Sequence, residues 1–228
     1  MDHSSFSLIV LDVLEVDSLA KRYSERVILS DVYLKCFTGD IVGLFGRNGT
    51  GKSTLMKIVF GIEKADNKFV RVNDKVLVSQ SQLIQEISYL SQDTFLPNNS
   101  TVLELIRLTL NNQNVNSFVN DAILSPFLNT KVNSLSGGEL RYLEIKVLLN
   151  LPSKFVLLDE PFNGLSPIIV KAVSELIKSH SKSKGIILTD HDYHSVLDIA
   201  NRFYLLSDGY LKSISGRSDL VRLGYLNR

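Results

Sequence analysis

Gly46-Arg47-Asn48-Gly49-Thr50-Gly51-Lys52-Ser53-Thr54 gathers the residue types needed to hold a chain of phosphates. The spacing is G-x-x-x-x-G-K-S, and each part has a job. Glycines let the backbone wrap until successive N–H groups point inward at an anion. Lys52 supplies a mobile charge for the β- and γ-phosphates, and the Ser53 hydroxyl can ligate Mg²⁺. The flanks fit as well. Asp40 to Phe45 reads as a buried strand and Leu55 to Phe60 as the start of a helix, whose N-terminus adds unpaired donors and a positive dipole end. A glycine-rich turn with a surface lysine would need neither flank. The stretch predicts a nucleoside triphosphate site built from Arg47, Asn48, Gly49, Thr50, Gly51, Lys52, Ser53 and Thr54.

A second set of groups ends the apolar run Phe155-Val156-Leu157-Leu158. Asp159 and Glu160 place two carboxylates at the mouth of a sheet. Asp159 is expected to hold Mg²⁺ opposite Ser53, and Glu160 to orient and deprotonate the attacking water. His191 leaves the next strand, Gly185 to Thr189, where it could donate to the γ-phosphate. His3, His180 and His194 lack such placement and read as surface residues.

The elements that must position these groups follow from periodicity. Phe6 to Val16 and Val27 to Phe37 are β-branched apolar runs, separated by Leu19 to Ser24, and suggest an antiparallel ladder. Asn73-Asp74 reads as a tight turn, and Ile87 to Leu90 as a short strand ending at Ser91-Gln92. Ser100 or Thr101 can cap a helix over Thr101 to Leu110, with Glu104 in its first turn. Asn111 to Asn116 reads as a linker. Glu139 to Leu149 and Pro167 to His180 are helical, the latter with Ser166 as its cap and proline in its first turn. Asp208-Gly209 makes a last hairpin. Buried strands alternating with helices predict a parallel sheet with chemistry at the strand ends, interrupted by a helical insert over about residues 93–136.

Composition narrows the setting. The chain has 228 residues, long enough for one sizeable domain. Its net charge of +1 gives no reason to expect a nucleic-acid partner. The single cysteine, Cys36, has no internal partner, which fits a reducing compartment. Met1 to Ser7 lacks a signal-peptide pattern, and no apolar run approaches the roughly 20 residues needed to cross a bilayer. A soluble protein is expected, with any membrane role carried out through a partner.

With these residues in hand, the whole chain resembles the nucleotide-binding subunit of an ABC-type ATPase. The discriminating motif is Leu135-Ser136-Gly137-Gly138-Glu139, a serine and two glycines at a helix N-terminus. The wording around Leu158 to Ile168 is similar to the ATPases of lipopolysaccharide-export and branched-chain amino-acid systems. The resemblance implies a P-loop, RecA-like parallel-sheet core with an antiparallel β subdomain and a helical subdomain, all in one domain over 1–228. It implies that Tyr23 stacks on adenine and that Gln92 senses Mg²⁺ and the attacking water. It also implies that Ser136, Gly137 and Gly138 close on the γ-phosphate held by the opposite subunit. Lys52, Gln92, Glu160 and His191 become the catalytic set, and Ser53, Gln92 and Asp159 the metal set. ATP and Mg²⁺ are the expected substrate and ion. The expected partners are a second ATPase subunit, identical or pseudo-symmetric, and an integral membrane permease on whose cytoplasmic face the protein sits. An assembly role such as iron–sulfur cluster biogenesis is the alternative within the same resemblance. A P-loop GTPase or small-molecule kinase would need no such signature.

Three positions depart from the family pattern. Ser166 stands where aspartate is usual, which questions tight coupling between the two ATP sites. Arg141 comes one residue before the usual arginine, and Tyr142 takes that place. Arg47 stands where proline is common, its side chain expected in solvent. Phe95 and Leu96, directly after Gln92, are expected to be partly exposed as the lining of a partner groove.

Overall fold

The computed structural model describes residues 11–110 and 115–226. Its centre is a six-stranded sheet with strands β3 (Ile41–Phe45), β6 (Ile87–Leu90), β7 (Phe155–Asp159), β8 (Gly185–Thr189), β9 (Arg202–Ser207) and β10 (Tyr210–Ile214). Their order is β10-β9-β3-β8-β7-β6, and every pairing is parallel except that of β10 with β9. Strands β3, β6, β7 and β8 are buried along their whole length, the pattern of a parallel sheet covered on both faces. Alternation then divides their side chains between two cores. Ile41, Phe45, Val156 and Leu158 face one core, and Val42, Leu44, Phe155 and Leu157 face the other.

The second core is closed by α1 (Lys52–Phe60) and by a four-stranded antiparallel sheet, β2-β1-β4-β5. Here the sequence expectation needs correction. Strand β1 spans Val13–Tyr23 and β2 spans Arg26–Phe37, so Leu19 to Tyr23 is strand and only the turn at Ser24-Glu25 separates the pair. Register shifts between Val16 and Leu19, Leu19 and Lys21, and Lys21 and Arg22 break the alternation that would have marked it. Ser18, at φ +51°, lies at that irregularity. The predicted strand start at Phe6 falls outside the described residues. The Asn73-Asp74 turn forms between β4 (Asn67–Val72) and β5 (Lys75–Val76), with Asn73 at φ +54°.

The first core holds the helical unit. A capping box between Thr101 and Glu104 starts α3 (Val102–Thr109), and another between Ser136 and Glu139 starts α5 (Gly137–Asn150). Between them lies α4 (Val115–Val119), so Asn116 is helical rather than linker, and the rest of the predicted linker, 111–114, falls outside the described residues. Leu96 also departs from expectation. It is 6% exposed and packed with Val102, Leu105 and Leu143, whereas Phe95 is 45% exposed. A buried polar network pins the unit to α5. Asp121 accepts from Lys146 and from the Tyr142 hydroxyl at 2.8 Å on one oxygen, and from the Ile123 and Leu124 amides on the other. Tyr142, the residue that displaces the usual arginine, is part of that network.

Four further α-helices flank these cores, the last of them α8 (Arg217–Arg222), whose Leu220 is buried in the first core. Helix α2 (Gln80–Glu86) carries a Ser79–Gln82 capping box. Helix α6 (Pro167–Ser181) has Ser166 at its N-cap position, but the hydroxyl makes no capping hydrogen bond. Helix α7 (Tyr193–Ile199) is capped by Asp192. His180 is not a free surface residue. Its Nδ1 lies 2.9 Å from the Leu176 carbonyl, and burial lowers its pKa. Among the described residues, no helix is long and apolar enough to cross a membrane.

Candidate active site

The phosphate loop joins β3 to α1, and its geometry follows from its glycines. Gly51 sits at φ +106°, where a Cβ would lie 2.7 Å from the Ile28 side chain; Gly46 has the Leu206 carbonyl equally close. Only glycine fits both positions without displacement. Lys52 is 8% exposed, and its Nζ donates to the Gly46 carbonyl at 2.6 Å and the Arg47 carbonyl at 3.2 Å. Burial lowers its pKa, while the charges of Glu160 and Asp159 oppose the shift. The ammonium is therefore held across the loop by neutral carbonyl oxygens, which it can exchange for phosphate oxygens that carry charge of their own.

Asp159 closes β7 at 1% exposure. Its Oδ1 accepts from the Ser53 hydroxyl at 3.1 Å and its Oδ2 from the Tyr89 hydroxyl at 3.1 Å. Burial raises its pKa, and those two hydrogen bonds work against the rise. No cationic side chain forms an ion pair with it among the described residues. A buried carboxylate beside a serine hydroxyl, without a cation of its own, is a donor set of hard oxygens that fits Mg²⁺. Ser53 and Asp159 would hold the ion, with the Gln92 side chain in the same cleft.

Glu160 follows with φ +52°, a left-handed conformation uncommon for a residue with a long side chain. Its amide still continues the ladder, donating to Thr189 O at 2.8 Å, so the sheet enforces the turn. The carboxylate is thereby presented to the cleft. His191 Nε2 lies 2.9 Å from Oε1, and Asn163 Nδ2 donates to Oε2 at 3.3 Å. The loop after β8 is fixed by Asp190, whose buried carboxylate accepts from Phe162 N at 2.7 Å and from Asp192 N at 2.9 Å. Burial raises the Asp190 pKa against those bonds.

One cleft of about 460 Å³ collects the exposed groups of the site, with Asp159 buried behind Ser53. It brings together Tyr23, Asn48, Gly49, Gly51, Lys52, Ser53, Thr54, Gln92, Glu160 and His191. Tyr23 stands at its rim, half exposed, with its hydroxyl on Glu63. Arg26 and Ile28 also line the cleft. Nothing in their local sequence marked them, because only the β1–β2 turn carries them over the loop. Arg47 and Thr50 turn away. They line a second cavity with Gly224 and Tyr225, and Arg47, solvent-exposed as expected, donates from Nη2 to Gly224 O at 3.1 Å.

The signature stands apart. Ser136 and Gly138 do not line the loop's cleft, and Gly137 lines a separate one shared with Gln92, Arg141 and Glu160. Arg141 joins the two regions. Its guanidinium donates to Ser91 O at 2.7 Å, Asp159 O at 2.9 Å and Glu160 O at 3.2 Å, and pairs with buried Glu144 at 3.3 Å. One side chain on the signature helix therefore holds the backbone that precedes Gln92 and the backbone that carries both carboxylates. The position was visible in the sequence as a displaced arginine, but its role as a clamp was not.

Comparison with known proteins agrees with this geometry. The family description "ABC transporter" matches residues 29–163, more than half of the chain. The lipopolysaccharide export system ATP-binding protein LptB of Acidithiobacillus ferridurans is 31% identical over 223 residues, covering 92% of each chain. The LptB protein of Escherichia coli strain K12 is 31% identical over 229 residues, covering 94% of this chain and 95% of that protein. A solved ATP-binding subunit of an ABC transporter superposes with a TM-score of 0.82 at 24% identity, over 94% of both chains. A dimeric bacterial ABC transporter cassette gives 0.77 at 22% identity, over 90% of this chain and 99% of that one.

Proposed function

Since this chain belongs to the ABC transporter family, as an ATP-binding and ATP-hydrolysing subunit, we propose that it completes its active sites by dimerising. In this arrangement the loop of one subunit and Ser136, Gly137 and Gly138 of the other enclose each ATP. The observation that carries the reading is the separation within one chain: Lys52 and Ser53 of the loop share a cleft that Ser136, Gly137 and Gly138 do not line. The α5 N-terminus leaves the amides of Gly137 and Gly138 outside its capping box, and these would meet the phosphates of a nucleotide held by the other chain.

Each side chain then has a distinct task. The loop amides and Lys52 bind the phosphates, and Tyr23 at the rim packs against the base. Ser53, Asp159 and Gln92 would hold Mg²⁺, which when bound neutralises charge developing on the phosphate oxygens. Glu160 takes a proton from the attacking water. His191 Nε2 holds Oε1 of that carboxylate, and Asn163 holds Oε2, so the base is oriented before water arrives. Arg141 keeps Asp159 and Glu160 in register with the strand end before Gln92.

The permease would dock in an apolar groove of about 370 Å³ between the core and the helical unit. Ile62, Ile84 and Phe95 line it and each expose about half their surface. Such exposure is unusual for large apolar groups gathered in one concavity. A short helix from a membrane protein, burying the same side chains, would place this subunit on the cytoplasmic face.

Mixing two inactive variants tests the composite site. Lys52→Ala lacks the loop cation, and Ser136→Arg blocks the signature. A mixed dimer contains one intact pairing, Lys52 of one chain with Ser136 of the other. The mixture should hydrolyse ATP where neither variant does alone; no recovery at any ratio refutes the shared-site reading.

A further inference from the structure

Tyr89 occupies a place that the proposed mechanism does not use. It lies on β6, the edge strand of the six-stranded sheet, opposite Leu157 in the register with β7. Asp159 is two residues further along the same strand, so both project from the same face of the sheet. A tyrosine is long enough to span that diagonal, and its hydroxyl meets Asp159 Oδ2 at 3.1 Å. Tyr89 is 7% exposed, and what remains of its surface faces the groove described above. There its ring packs against Phe60, with centroids 5.5 Å apart, in the groove that Phe95 also lines.

We propose that Tyr89 is a positioning residue for the magnesium-binding carboxylate, and that it carries the state of the apolar groove to Asp159. The hydroxyl donates to Oδ2 and leaves Oδ1 aimed at Ser53 Oγ, the pair of oxygens that would take the ion. Without that donor, Oδ2 is a buried acceptor with no partner, and the carboxylate is free to rotate away from Ser53. Partners of metal ligands typically change affinity by about 10–100-fold when removed. The link to the groove is mechanical. Phe60 bounds the space the Tyr89 ring can occupy from the groove side, and a shift of the ring moves its hydroxyl relative to Oδ2. The inference rests on the ATPase assignment and not on what occupies the groove.

Tyr89→Phe in the full chain keeps the ring and removes only the hydroxyl. Binding of a fluorescent ATP analogue is measured across buffered free Mg²⁺ and again with chelator. The Mg²⁺ midpoint should rise about tenfold, while affinity in chelator stays at the wild-type value. In an Asp159→Asn background Tyr89→Phe should add nothing, because the two residues act through one interaction. An unchanged midpoint with only a lower melting temperature makes Tyr89 a packing residue and overturns the proposal. Phe60→Ala leaves the hydroxyl in place and loosens the ring from the groove side; its midpoint should also rise, by a smaller factor. If Phe60→Ala binds Mg²⁺ and nucleotide as wild type does, the link between groove and carboxylate is refuted.

Discussion

His191 Nε2 stands 2.9 Å from Glu160 Oε1, at the ends of two adjacent parallel strands. A histidine read from sequence as a donor to the γ-phosphate thus contacts Glu160, the proposed general base, directly. The carboxylate is held on both oxygens, by His191 and by Asn163. Glu160→Gln keeps the shape and removes the basicity, so hydrolysis should fall by about 10²–10⁴-fold with ATP still bound. With ATP and Mg²⁺ the variant should elute as a dimer in gel filtration. A monomer that hydrolyses at the normal rate would show that another group is the base. His191→Ala should lower turnover while leaving ATP affinity near wild type.

Lys52→Ala should abolish tight ATP binding. The ammonium is buried in the loop with two carbonyls as its partners, and no other cation of the loop enters the cleft, since Arg47 is bound to Gly224 O. Equilibrium binding of a fluorescent ATP analogue measures this. Wild-type affinity in the variant would remove the phosphate role from the loop.

Phe95 and Leu96 should separate cleanly. Leu96 is a core residue of the helical unit, and its truncation should cost about 2–5 kcal/mol of stability. Phe95 is half exposed over the groove. Phe95→Ala should preserve basal ATPase and melting temperature but lose the stimulation given by the permease. Equal thermal destabilisation of both variants would put Phe95 in the core and end its docking role.

Asp121→Asn should destabilise the helical unit in a pH-dependent way. Burial pushes the Asp121 carboxyl up, but hydrogen bonds from Lys146, Leu124 N and Tyr142 outweigh it and hold the pKa below its usual value. A group depressed in this way stabilises the fold above its unfolded pKa of about 3.9, and loses that contribution as pH falls through the folded value. Breaking a buried pair costs about 3–5 kcal/mol. Urea denaturation at pH 7 should show a gap of that size between wild type and variant, narrowing below about pH 4. A gap that does not change with pH would assign the effect to packing.

The parts of the site that could be read from sequence are those whose geometry is local. The loop from Gly46 to Thr54 specifies its own turn and helix start, and Asp159-Glu160 announces itself by ending an apolar strand. What escaped notice depends on contacts between distant segments. Tyr89 in Ile87-Ser88-Tyr89-Leu90 reads only as a strand residue until β6 is paired with β7. Arg141 is a helix-face arginine until Ser91 O and Asp159 O come within reach. Asp190 looks like a turn residue until Phe162 N is found on it. The β1 strand was cut short for a different reason, since irregular register around Leu19 and Lys21 erases the alternation that marks a strand. Helix α2 could have been found from its Ser79–Gln82 capping box.

The strand order also constrains how the protein is made. β3 hydrogen-bonds only to β8 and β9, through pairs such as Ile41 with Ile186 and Phe45 with Leu205. At synthesis rates of about 5–20 residues per second, β3 leaves the ribosome on the order of ten seconds before either neighbour exists. During that interval Ile41-Val42-Gly43-Leu44-Phe45 is an uncharged segment with both edges unpaired, the kind of sequence that seeks strands on other chains. ATP cannot shield it, because the loop it would bind has no sheet behind it yet. A holding chaperone should therefore raise the soluble yield, while added nucleotide should not, although the finished protein binds ATP at the end of that same strand.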